Sequence, residues 1–120
     1  MSNKETIEKL WDQKDQINFI QDKGSQNEVL SVLDKLDKGE LRVCEKIDGE
    51  WQVHQWLKKT ILLSFRIQDM ELINGGPSVV AGNTSWWDKV PSKFQNWQSS
   101  DFQTAGFRAV PNCVVRRSAY

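Results

Sequence analysis

Residues 51–69, WQVHQWLKKTILLSFRIQD, constrain the fold more than any other stretch of the chain. At about 3.6 residues per turn, Leu57, Ile61 and Phe65 fall on one helical stripe and Trp56, Leu63 and Ile67 on a second. Thr60 and Ser64 lie between the stripes, and Gln55, Lys59 and Arg66 form one narrow polar strip. The apolar arc is wider than a surface helix needs, so the pattern predicts a central helix packed on two sides. The segments before and after it must supply the cover. Charge interrupts the stretch too often for it to span a bilayer, which takes about 20 apolar residues.

The cover on the N-terminal side reads as two helices. Ser2-x-x-Glu5 has the form of a capping box, and Ile7, Leu10, Trp11, Ile17 and Ile20 follow at roughly helical spacing until Gly24 offers a stop. Ser25-x-x-Glu28 repeats the capping signal. Val29, Val32, Leu33 and Leu36 then take the i, i+3, i+4, i+7 pattern, and Gly39 closes it. A short turn between the two helices predicts an antiparallel αα-hairpin.

LRVCEKIDGEWQVHQW then alternates on either side of Asp48-Gly49 and predicts a β-hairpin. A two-residue loop would put Val43 and Val53 on opposite faces, wasting the apolar pattern. A three-residue loop, Ile47-Asp48-Gly49, pairs Glu45 with Trp51 and Val43 with Val53, and would bury Leu41, Val43, Trp51 and Val53 on one face. Arg42, Cys44, Lys46, Gln52 and His54 would occupy the other.

Beyond the central helix, Asn74-Gly75-Gly76-Pro77 begins an expected long irregular region. It contains Gly82-Asn83 and Pro91, and carries Trp86, Trp87, Phe94 and Trp97, too aromatic for a solvated tether. Residues 99–105 predict a short helix capped by Ser99 or Ser100 and ended by Gly106. In AVPNCVVRRSAY, Ala109 and Val115 are six apart, as are Cys113 and Ala119. This is the rhythm of the hexapeptide repeat, whose units form the sides of a triangular parallel β-helix. The two units are fewer than one coil requires.

Sixteen acidic residues balance sixteen basic ones among 120, with 38% hydrophobic content. A soluble domain follows, and a nucleic-acid partner is disfavoured because phosphate binding needs a net cationic face. The opening MSNKETIEKL lacks the apolar run of a signal peptide, so the expected compartment is the cytoplasm, with no membrane anchor. Cys44 and Cys113 have no second thiol or histidine at ligand spacing, which predicts reduced cysteines and no metal site.

EKIDGEWQVHQWLKKTILLSFR, then WDKVPSKF, then GFRAVP leading into hexapeptides resembles the N-terminal part of the tetrahydrodipicolinate N-succinyltransferases. The similarity runs from about Val29 to Tyr120, and the first helix matches only in character. The resemblance implies an α+β chain. An α-helical N-terminal domain with a β-hairpin, residues 1–108, leads into the first strands of a left-handed parallel β-helix, residues 109–120, truncated here. It implies a homotrimer with active sites between neighbouring β-helices. It also implies transfer of succinyl from succinyl-CoA, a co-substrate, to the dicarboxylate tetrahydrodipicolinate in diaminopimelate and lysine biosynthesis, with no tightly bound cofactor. Because the chain stops at Tyr120, an amino-terminal fragment, catalytically silent by itself, is expected.

Arg108, in Gly106-Phe107-Arg108, matches that family's substrate-binding arginine. A guanidinium suits a dicarboxylate because it grips a carboxylate through two parallel hydrogen bonds and stays charged at any working pH. The plain alternative is a solvated loop arginine or a structural ion pair. Lys58, Lys59 and Arg66 are candidates to attract anionic substrate or coenzyme A phosphates, against simple solvation of a helix face. His54 is a candidate helix cap or acid–base group, although no nucleophile or carboxylate stands beside it in a recognisable motif. Arg116-Arg117 alone are poor evidence for nucleic acid. Thioester aminolysis needs a general base and an oxyanion donor, and neither has a candidate in this chain. The competing expectation is a non-catalytic interaction module that uses the aromatic 77–97 loop, with Trp86, Trp87 and Trp97, and an open β edge.

Overall fold

The computed structural model describes residues 1–75 and 84–120. The elements run α1 (Asn3–Asp12), α2 (Lys23–Asp37), β1 (Cys44–Ile47), β2 (Glu50–Val53), α3 (Gln55–Ser64), β3 (Glu71–Gly75), β4 (Thr84–Asp88) and α4 (Ser99–Ala105). The expected α+β class is what the chain adopts. It divides into two compact units, residues 1–69 with 118–120, and residues 70–117.

In the first unit, α3 is the central helix, covered by both α1 and α2, which also pack on each other. It is shorter than the apolar stretch that announced it, because residues 50–53 belong to a strand and the helix ends at Ser64. Leu57, Thr60 and Leu63 are buried along it, and Ile67 continues the buried stripe past its end. Thr60 is satisfied there by donating its hydroxyl to the Trp56 carbonyl at 2.9 Å. Ile7, Phe19, Val29, Val32, Leu33 and Leu36 complete the core.

The capping box of α1 forms as expected: the Glu5 N–H donates to Ser2 Oγ at 3.2 Å, and the Ser2 N–H donates to Glu5 Oε2 at 2.7 Å. The helix stops at Asp12, well before Gly24. Asp12 and Asp15 would set negative charge at the carbonyl end of the helix dipole, and Asn18 favours a turn. Residues 13–22 therefore form the connection, in place of the expected short turn. Phe19 anchors this connection in the core, while Ile20 is partly exposed. Gln26 Nε2 donates to the carbonyls of Phe19 and Ile20 at 2.5 and 2.7 Å. The cap of α2 is Asp22, whose Oδ1 accepts the Ser25 N–H at 3.1 Å, rather than Ser25. A carboxylate at that position also meets the positive end of the dipole. Gly39 closes the helix with a left-handed φ of 74°, as its position suggested.

The first hairpin corrects the expected register. Ile47 pairs with Glu50, Lys46 with Trp51, Glu45 with Gln52 and Cys44 with Val53, which leaves a two-residue loop and sets Val43 on the face opposite Val53. Asp48 and Gly49 both have left-handed φ, 51° and 83°, the signature of the type I′ turn that Asp-Gly favours. The hairpin has no fully buried face that would favour the other register. Trp51 is 71% and Val53 54% exposed, and only Leu41 and Val43, before β1, pack on the core.

In the second unit, β3 and β4 form an antiparallel pair; β3 begins before Asn74 and runs into the stretch expected to be irregular, and β4 lies within it. The Gly76-Pro77 and Gly82-Asn83 part of that expectation lies outside the described residues. Leu72 pairs with Trp87 on one face, and Ile73 with Trp86 on the other. The adjacent tryptophans gave no period-two alternation, which hid the strand, although paired aromatic and aliphatic side chains favour one. Further on, Ser92 bridges Arg116, and the Lys93 and Arg117 N–H groups donate to the carbonyls of Val115 and Pro91. The helix α4 has its expected span, capped by Gln98 with Asp101 instead of by a serine. Residues 109–117 contain a turn closed by the Cys113 N–H on the Val110 carbonyl, with Asn112 at φ 73°.

Candidate functional site

Gly106 ends α4, as the sequence suggested; it does so in the left-handed conformation, φ 79°, and its N–H donates to the Phe102 carbonyl at 2.9 Å. The chain then turns Phe107 onto a cluster of aromatic rings. Phe94, Trp97 and Phe102 pack with centroids 4.8 to 5.3 Å apart. Phe107 joins them at 5.8, 6.0 and 6.2 Å. Edge-to-face and tilted contacts of this kind set positive ring edges against negative ring faces. Arg108 follows directly. It is exposed, and it makes no hydrogen bond or ion pair among the described residues. The structure thus places the candidate carboxylate-binding side chain next to an ordered joint, with its donors uncommitted.

A groove of about 460 Å³ lies in the same unit, lined by Ile73, Trp86, Phe94 and Phe102 and by residues 109–116. Arg116 Nη2 lies 3.3 Å from Asp88 Oδ2 at its edge, and Ser92 adds a hydroxyl. Volume and lining are those of a small-molecule site. Arg108 is not among the residues that line it, although its neighbour Ala109 is. The groove escaped the sequence reading because β3 and β4 did; Trp86 and Phe94 were the only visible signal for it.

The remaining candidates are dispersed. Lys59 Nζ pairs with Glu8 Oε2 at 2.6 Å and ties α3 to α1, and Arg66 Nη1, just past α3, reaches Asp15 Oδ1 and the Lys14 carbonyl of the connection after α1 at 3.3 and 3.2 Å. Lys58 alone is exposed without such a partner among the described residues. His54 stands at the N-cap of α3 without a side-chain capping bond, and its Nε2 lies 2.7 Å from Glu45 Oε1, a carboxylate that spacing did not reveal. Trp97 belongs to the ring cluster and Trp86 to the groove; Trp87 is 65% exposed. Cys44 and Cys113 are free and exposed. Among the described residues, no group of three or more His, Cys, Asp or Glu is arranged to hold a metal ion, and no helix is long and apolar enough to cross a membrane.

Residues 2–67 match the family model described as tetrahydrodipicolinate N-succinyltransferase N-terminal. Over 120 residues the chain is 56% identical to the 2,3,4,5-tetrahydropyridine-2,6-dicarboxylate N-succinyltransferase of Brucella suis, and 55% identical to those of Brucella ovis and Brucella anthropi. Each match covers 99% of this chain and 41% of the relative. The chain thus spans about two fifths of the length of the curated relatives it matches. With more than half its residues under the family model and end-to-end identity above one half, the chain belongs to the tetrahydrodipicolinate N-succinyltransferase family and carries its N-terminal domain.

Proposed function

We propose that this chain is the N-terminal part of an enzyme that transfers succinyl from succinyl-CoA to tetrahydrodipicolinate, in the diaminopimelate route to lysine. The observation that carries the reading is 56% identity, across 99% of the chain, to a protein named for that reaction. Succinyl-CoA is a co-substrate, and no cofactor is held tightly. Residues 109–120 open a left-handed β-helix in the longer protein, which works as a cytoplasmic homotrimer. The base for the attacking amine and the donors for the oxyanion belong to the part of the relatives' length that this chain does not span. By itself the 120-residue chain transfers nothing.

Arg108 binds a carboxylate of the acceptor. Its exposure, and its lack of a hydrogen bond or ion pair among the described residues, support this reading, since a guanidinium already held by a carboxylate of the protein would have to be released first. The test is steady-state kinetics on a chain of the relatives' full length. Arg108→Ala is expected to raise the acceptor KM about 10- to 100-fold, from loss of a two-point charged hydrogen bond, and to leave the assembly intact. An unchanged acceptor KM would remove Arg108 from the site. Failure of the full-length wild-type chain to transfer succinyl would remove the function.

A further inference from the structure

We propose that Phe107 is a positioning residue for Arg108, holding the arginine backbone in the orientation from which the side chain reaches the acceptor carboxylate. The inference rests on the reading of Arg108 given above. Two-point recognition is demanding in angle, and an arginine is normally aimed by the hydrogen bonds it makes within its own protein. Arg108 has none among the described residues, and the backbone on either side of it is the part of its setting that the structure holds fixed.

The backbone is fixed on both sides of it. On one side, Gly106 is held left-handed by its bond to the Phe102 carbonyl, and Phe107 is seated on three rings. On the other, Pro111 restricts Val110 to extended conformations, and the Val110 carbonyl closes the next turn by accepting from Cys113. Only Arg108 and Ala109 lie between these points. Phe107 itself is 47% exposed, and Phe94, Trp97 and Phe102 already pack on one another without it. Its ring therefore adds little to the cohesion of the cluster and a good deal to the direction of the chain at residue 108.

The experiment compares Phe107→Leu, Phe107→Tyr, Gly106→Ala and Arg108→Ala in the full-length transferase, reading kcat and both KM values. Phe107→Leu is expected to raise the acceptor KM about three- to tenfold, the effect of releasing one ordered side chain, without moving kcat or the succinyl-CoA KM. Phe107→Tyr keeps the ring and should keep the wild-type KM. Gly106→Ala strains the same joint without touching a ring, since nothing lies within 4 Å of the added Cβ, and should also raise the acceptor KM alone. If Arg108→Ala raises the KM while Phe107→Leu does not, positioning is refuted and the Arg108 reading stands. If Arg108→Ala has no effect, the earlier reading fails and takes this one with it. Loss of kcat and both KM values together in Phe107→Leu would make the ring a packing residue and overturn the proposal. Should Phe107→Leu not fold, Gly106→Ala decides: an acceptor-only KM change supports positioning, and a wild-type KM refutes it.

Discussion

Replacing Leu63 and, separately, its neighbour Leu62 by alanine tests whether α3 is clamped from two sides. Both substitutions change helix propensity alike, by a few tenths of a kcal/mol at most, so the difference between them reports packing. Leu63 is completely buried in the core to which α1, α2 and α3 contribute, whereas Leu62 is 43% exposed. Removing the transfer energy of a fully buried leucine and leaving an unrelaxed cavity costs about 3–5 kcal/mol. At Leu62, where much of the side chain already meets water, the loss is about 0.5–1 kcal/mol. A domain with total stability of about 5–15 kcal/mol tolerates the second easily and the first barely. Urea titration followed by far-UV circular dichroism is the assay. With a denaturant slope of about 1–3 kcal/mol per molar, the midpoint should fall by about 2 M for Leu63→Ala and by about 0.5 M or less for Leu62→Ala. Midpoints that agree within error would refute two-sided packing of this helix.

Three smaller effects follow from local geometry. The Ser2 N–H, and to a lesser degree the Ser2 hydroxyl, hold the Glu5 carboxyl below its ordinary value of 4.5. Because the folded value is depressed, the stabilisation is complete above that value and disappears as pH falls through the depressed one; acid titration of wild type against Glu5→Gln should show the two stabilities converging only below pH 4.5. Gly49→Ala meets no atom within 4 Å, so its cost is the left-handed backbone alone, about 1–2 kcal/mol, read as a lower melting temperature while Asp48→Asn leaves it near wild type. A double-mutant cycle on Lys59 and Glu8, a half-buried pair at 2.6 Å, should return a coupling of about 0.5–1 kcal/mol that shrinks in high salt.

The features legible in the sequence were those that obey a single local rule. The capping box at Ser2 and Glu5, the apolar ladder Val29, Val32, Leu33 and Leu36, and the left-handed stop at Gly106 all depend on neighbours within about one turn. The wide apolar arc of the central helix carried further, because it required two covering surfaces; the cover expected from before and after it in sequence comes from the preceding α1 and α2. Arg108 was visible through resemblance; its exposure, and the ring cluster that seats its neighbour, were not. Phe94, Trp97, Phe102 and Phe107 follow no secondary-structure period, so nothing in their spacing announces that they meet.

Where two rules competed, the tertiary structure chose. In the first hairpin the wish to bury Val43 and Val53 together opposed the preference of Asp-Gly for a two-residue turn, and the turn prevailed because no partner surface covers Trp51 and Val53. At the end of α1 the apolar spacing of Ile17 and Ile20 argued for more helix, yet Phe19 took the core position and the chain bent to deliver it. In residues 84–88 the paired tryptophans concealed a strand that became recognisable only opposite Leu72 and Ile73. The sequence by itself determined the α+β class, the central helix and the family, since each follows from patterns held within the chain's own order. Strand register, the groove and the setting of Arg108 were decided in three dimensions, because each depends on which surfaces are left for a side chain to meet.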